Sequence, residues 1–145
     1  MRNVERRWRG WLVLIGCVAL GSSCAHTGGS NRMAAGVEIK DVDMGRAADS
    51  VNISVTDVTH DFKPNDNVFV TVKYHNTTND NATLGLKWYK ENSVVGEESG
   101  TLMPGEHASL FHMQAPSPLA MGDYKLEISV NGKLLETKKF EVKGA

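Results

Sequence analysis

The chain has 145 residues, 41% hydrophobic and 23% charged, an ordinary balance for one globular domain. A formal net charge of -1 excludes a nucleic-acid binder that relies on a large positive excess. Four Pro, 14 Gly and no long biased tract exclude a mainly disordered or fibrous chain.

Met1 to Gly10 carries Arg2, Arg6, Arg7 and Arg9 against one acid, Glu5. Trp11 to Leu20 (WLVLIGCVAL) is uncharged and apolar, and Gly21-Ser22-Ser23 leads from it into Cys24. A basic start, a short apolar stretch and a small-residue zone predict a secretory signal over residues 1–23. A membrane-spanning helix needs about 20 apolar residues, more than this run supplies. Arg6-Arg7 is commonplace in such a leader, and Trp8-Arg9-Gly10 fits a twin-arginine signal poorly, so the general secretion route is expected.

The end of the leader, Leu20-Gly21-Ser22-Ser23-Cys24, resembles the lipobox of bacterial lipoproteins, in which a peptidase cuts just before an acylated cysteine. Gly21 departs from the usual apolar residue three positions before that cysteine. Leu14-Ile15-Gly16-Cys17 fits the short pattern better, but cutting there leaves an apolar stretch of only about six residues, below the usual length. Cys24 is therefore the preferred lipidation site, with Cys17 the alternative. Both cysteines lie in the leader or at its end, so a disulfide-stapled domain is excluded. The resemblance implies two or three acyl chains on the cysteine, enough for stable anchoring where one chain is marginal. The leader takes four of the 16 basic residues and one of the 17 acids, leaving a mildly acidic mature chain near -4 in which no basic cluster is expected to hold it on anionic lipid.

Residues 24–36 (CAHTGGSNRMAAG) read as the lipidated cysteine and a flexible tether, and 37–145 as one domain without internal repeats. Within the domain the apolar period is two. Val51-Ile53-Val55, Val68-Val70-Val72-Tyr74, Leu84-Leu86-Trp88 and Tyr124-Leu126-Ile128-Val130 each alternate with polar or outward positions, predicting half-buried strands. Pro104-Gly105 opens a further strand over Glu106 to Gln114, and residues 43–49 offer at most one helical turn. Asn131-Gly132 marks the last hairpin. A two-residue turn there puts Phe140 and Val142 on the wrong face unless a bulge intervenes; a three-residue turn using Lys133 opposes Tyr124 to Phe140 and keeps both inside, and is preferred.

Seven or eight short strands separated by turns predict an antiparallel β-sandwich. The run resembles an immunoglobulin-like or fibronectin-III-like domain over about residues 50–143. Trp88 stands where that fold buries a tryptophan, and Gly122-Asp123-Tyr124-Lys125-Leu126 looks like its tyrosine corner. The resemblance places Leu126 and either Val70 or Val72 where antibody domains carry their disulfide, with Phe140 inside the last strand. More narrowly, Trp88-Tyr89, Pro104-Gly105, Gly122-Asp123-Tyr124, Asn131-Gly132 and Phe140-Glu141-Val142 look like the modules of bacterial surface and periplasmic lipoproteins. Those modules share no enzymatic activity, so no catalysis is expected.

Chemistry is sparse along the chain. His107 and His112, five positions apart in one strand, point to opposite faces; His26, His60 and His75 lie elsewhere, and no metal-ligand spacing occurs. Asp41-x-Asp43-x-Gly45 lacks the third acidic position and the final Glu of a calcium loop. No nucleophile elbow, phosphate-binding loop or zincin motif is present, and no cofactor or metal is expected. Asn52, Asn76 and Asn81 head N-glycosylation acceptor patterns, coincidental in a bacterial lipoprotein but expected to be exposed. Phe69 and Tyr89 are assigned to outward positions on one sheet face as a partner-binding patch, and the loop with Asn79 and Asp80 is a second candidate surface.

The expectation is a non-catalytic interaction or structural module of the cell envelope. It is lipid-anchored at the outer membrane, facing periplasm or cell surface, and binds another envelope protein by a sheet face or edge. The alternative is a pilotin-like assembly factor that delivers an outer-membrane component. A third possibility, an enzyme or metal-dependent binder, calls for a pocket that joins His60 or His75 to acids.

Overall fold

The computed structural model describes residues 32–115 and 118–144. The leader, Cys17, Cys24, His26 and the tether through residue 31 lie outside them. Among the described residues the fold is all-β, without a helix.

Eleven strands occur in chain order: β1 Met33–Ala34, β2 Val37–Gly45, β3 Ala48–Asp49, β4 Ser54–Val55, β5 Asp61–Phe62, β6 Phe69–Asn76, β7 Ala82–Lys90, β8 Ser93–Leu102, β9 Gly105–His112, β10 Gly122–Val130 and β11 Lys133–Val142. Seven are long. One sheet runs β1-β2-β6-β9, the other β5-β11-β10-β7-β8, and β3-β4 form a separate hairpin. The chain passes from one sheet to the other between β2 and β5, between β5 and β6, between β6 and β7, and on either side of β9, which is immunoglobulin-like wiring. All long pairings are antiparallel; only β5 joins β11 in parallel, through Glu141 opposite Asp61 and Val142 opposite Phe62.

The alternation places the core as the sequence predicts. Val68, Val70, Val72 and Tyr74 from around β6, Leu84, Leu86 and Trp88 from β7, and Tyr124, Leu126, Ile128 and Val130 from β10 are all buried. Trp88 presents its ring edge-on to Phe140, at 6.1 Å between centroids, and Phe140 stacks on Tyr124 at 5.0 Å. The Tyr124 hydroxyl donates to the Ala120 carbonyl at 2.8 Å, closing the tyrosine corner.

Four expectations need correction. The fold begins before residue 37, because β1 pairs with β2 and Arg32 Nε lies 2.6 Å from Glu136 Oε2. Residues 32–36 are therefore a hairpin of the domain rather than tether, with both turn residues, Ala35 and Gly36, at positive φ.

Residues 51–55 are not a long strand. Val51 is 88% exposed in a turn where Asp49 Oδ1 accepts the backbone N–H groups of Val51 and Asn52, at 2.9 and 3.2 Å. The aspartate's local hydrogen bonds override β-branched propensity. The first long strand is β2, whose buried residues Val37, Ile39, Val42 and Met44 break step at a bulge where Lys40 has no partner. That bulge hides the period of two, and residues 43–49 hold no helical turn: 43–45 pair with β6 and 48–49 are β3.

In the last hairpin the turn has two residues, Asn131 at φ 48° and Gly132 at φ 84°, with Val130 opposite Lys133. A bulge at Leu135 then restores parity, so Leu135, Phe140 and Val142 all reach the core. Tyr124 does oppose Phe140.

Finally, Asn76 is only 2% exposed, whereas Asn52 and Asn81 are exposed. The Asn76 amide donates to the carbonyls of Asp80 and Leu102, at 2.8 and 3.1 Å, and its oxygen accepts from the Thr78 N–H and hydroxyl.

Candidate functional site

The outer face of the five-stranded sheet carries a cleft of about 510 Å³. Its floor comes from β10 and β11. Tyr124 opposite Phe140 turns inward, so the flanking pairs, Asp123 opposite Glu141 and Lys125 opposite Lys139, turn outward into the cleft. One wall is the β7–β8 turn, Glu91 and Asn92, held by the Glu91 N–H donating to the Asp123 carbonyl at 3.0 Å. The opposite wall is His60, whose carbonyl accepts the Glu141 N–H at 2.9 Å beside the β5–β11 pairing. Backbone hydrogen bonds thus fix both walls to the floor.

Charges of both signs meet there. Lys125 Nζ lies 4.3 Å from the centre of the Tyr89 ring and 2.6 Å from Glu127 Oε1. Its hydrogen bond holds the Glu127 carboxyl below the ordinary value, a gain that outweighs partial desolvation. Lys143 bridges Asp61 and Glu141 at 2.8 and 3.2 Å, and Glu91 meets Lys90 at 3.3 Å. Among the described residues, Lys139 and Asp123 make no ion pair. They remain free for a second molecule. This cleft does join His60 to carboxylates, those of Glu91, Asp123 and Glu141. Among the described residues no three His, Cys, Asp or Glu side chains are grouped to hold a metal ion.

The predicted patch of Phe69 and Tyr89 does not exist as one surface. Phe69 is on β6 in one sheet and Tyr89 on β7 in the other, so they face away on opposite sides of the sandwich. Phe69 stacks on His112 at 4.7 Å, while Tyr89 lies under Lys125 next to the cleft. Alternation is local and says which side of a strand is outer; it does not say which sheet the strand joins. Asn79 and Asp80 are exposed, but their loop abuts the start of β7 and the cleft lies at its far end. The loop's polar groups serve its own turn: the Thr78 hydroxyl, which donates to Asn76 Oδ1 at 2.7 Å, accepts the Asp80 N–H at 3.3 Å. Asp41 and Asp43 stand on β2 and pair with Lys73, at 3.0 and 3.3 Å, rather than forming an ion loop. His107 and His112 face opposite sides as expected, beside Tyr74 and Phe69 respectively.

The sequence reading missed Lys139, Asp123, Glu91 and Glu141 as a group. Only the parallel β5–β11 pairing and the β7–β8 turn bring them together with His60. No short-range signal encodes that meeting.

No protein-family profile matches the chain, and no curated protein sequence matches it. Among solved structures it is similar to a β-glucosidase from Kluyveromyces marxianus, at 16% identity and a TM-score of 0.43. The alignment covers 72% of this chain and 15% of that one, so the chain spans a small part of that enzyme's length.

Proposed function

We propose that the protein is a lipid-anchored module of the bacterial envelope that holds another envelope protein against the outer face of its five-stranded sheet. The observation that carries this reading is the cleft: rigid strands floor it, Tyr89 and Lys125 form a platform beside it, and Lys139 and Asp123 stand unpaired within it. An aromatic ring next to free charges of both signs suits a polar protein segment with its own paired charges. The leader and Cys24 support the location, through the lipobox resemblance.

Two measurements test the reading. Intact mass of the chain extracted from its membrane should start at Cys24 and include acyl chains, and Cys24→Ala should abolish them. A photo-crosslinking side chain at Asn92 should capture a membrane-side protein, and one at Val51 should not. Crosslinking should fall with Tyr89→Ala combined with Lys139→Glu. Equal capture from both positions would remove the cleft from the account.

A second reading, a ligand-binding or catalytic pocket, rests on His60 sharing the cleft with Glu91, Asp123 and Glu141. It requires thermal stabilisation by a small molecule or metal that His60→Ala abolishes.

A further inference from the structure

We propose that the edge of the sandwich where β1 meets β11 rests on an anionic lipid surface, so that the bilayer orients the domain as well as tethering it. The inference builds on the lipid-anchor reading and goes beyond it by naming the face turned to the membrane.

Arg32 ties this edge together through Glu136 Oε2, at 2.6 Å. Two large apolar side chains flank that ion pair. Met33, 41% exposed, lies opposite Glu38 on the outer side of one sheet. Leu134, 52% exposed, lies opposite Ser129 on the outer side of the other. They straddle the edge, and a shallow depression of about 370 Å³ lined by Leu134, Leu135, Glu136 and Thr137 follows it. Leu134 is exposed because the bulge sends Leu135, not Leu134, into the core.

The charges around these two residues are mostly positive. Lys133 is exposed in the adjoining hairpin, and Lys138 Nζ stands 3.8 Å from Glu136 Oε1. With the Lys40–Glu38 pair counted in, Arg32, Lys40, Lys133 and Lys138 stand against Glu38 and Glu136, and Lys138 also acts on Asp41. The neighbouring acids of β2 are satisfied by other cations, Glu38 by Lys40 at 2.8 Å and Asp41 by Lys73 at 3.0 Å. Apolar side chains surrounded by excess cations fit the headgroup boundary of an anionic bilayer. The mature chain near -4 hides this local excess in the sum.

The anchor's position agrees. Cys24 precedes Arg32 by eight residues, and so short a chain spans at most about 28 Å fully extended. An acyl group on Cys24 therefore keeps Arg32 within about 28 Å of the bilayer, a reach that allows this edge to meet it.

The test uses the lipidated chain purified from its membrane, with bimane attached at Leu134→Cys, at Met33→Cys, or at Val51→Cys on the β3–β4 hairpin. Each is placed in phosphatidylcholine vesicles, with or without phosphatidylglycerol, whose headgroups carry a nitroxide quencher. Labels at positions 134 and 33 should be quenched severalfold more than the label at 51 when phosphatidylglycerol is present. Added salt should weaken the difference. Lys133→Gln and Lys138→Gln should each lower the membrane-contacting population about fivefold. Equal quenching at 134 and 51, or no response to phosphatidylglycerol, overturns the proposal while leaving the anchor intact. Should the intact mass carry no acyl chain, the anchor reading falls instead, and the same labels on the unanchored chain still decide whether this edge meets lipid.

Discussion

Replacing Trp88 with alanine is the sharpest test of the fold. Trp88 heads the largest fully buried side chains, with no exposed area. Its neighbours cannot close over the gap easily: Phe140 is held in β11, and Gly96 over the Trp88 Cβ and Cδ1 is backbone of β8. A tryptophan-to-alanine change in such a core costs about 3–5 kcal/mol. One feature lowers that figure. The indole N–H has no hydrogen-bond partner; it neighbours the Glu98 carboxylate without meeting hydrogen-bond geometry. Removing a buried unpaired donor that still faces the Glu98 carboxylate returns about 1 kcal/mol, so the expected loss is about 2–4 kcal/mol. Trp88→Phe keeps an edge-on ring for Phe140 and discards the orphan donor, so it should cost about 1 kcal/mol. The assay is guanidinium unfolding followed by far-UV circular dichroism, since Trp88 is the only tryptophan after Trp11 and its fluorescence disappears with it. The midpoint should move with an unchanged slope. A loss below about 1 kcal/mol for Trp88→Ala would refute the packing described for this core.

Three further outcomes follow from other places in the fold. Gly45→Ala should cost about 1–3 kcal/mol and speed proteolysis within residues 46–58, because a Cβ there would strike Val55 Cγ1 and the Asp57 carbonyl. Unchanged proteolysis would mean that the β3–β4 hairpin does not rest on Gly45. Asn76→Ala should cost about 2–4 kcal/mol in a denaturation curve, since it strips partners from the Asp80 and Leu102 carbonyls and the Thr78 N–H at a buried site. Burial pushes the Glu98 carboxyl above its ordinary 4.5, against weaker opposition from the Gln114 N–H, the Trp88 indole and His112. The folded chain then holds this proton more tightly than the unfolded one. The resulting destabilisation is present at neutral pH, fades as pH falls through the raised value, and is gone below the ordinary one. Glu98→Gln should accordingly raise the unfolding midpoint at neutral pH and lose that advantage near pH 4; an equal effect at both would place Glu98 in solvent.

Much of this sandwich was legible because a strand's two faces repeat every second residue. Val70 and Val72, Leu84 to Trp88, and Tyr124 to Val130 needed no tertiary information, and Tyr124 with Gly122 marked its corner from local sequence. The tertiary structure decided whatever depends on a break in that period or on a distant partner. The bulges at Lys40 and Leu135 shift parity by one, which concealed β2 and altered the last hairpin. The edge strand β8 turns Gly96 toward Trp88 and Gly100 toward Phe111, with no apolar side chain at either, so it leaves no apolar alternation to read. Phe69 and Tyr89 stand half-buried on the outer sides of their strands, and strand order puts those sides on opposite faces of the molecule. The cleft depends on β5 lying beside β11, and the cationic edge on Arg32 reaching Glu136, more than 100 residues away. Residue patterns carry the local preference of a strand; the pairing of segments far apart in the chain is settled by the packing of the whole core, and the surfaces available to a partner arise there.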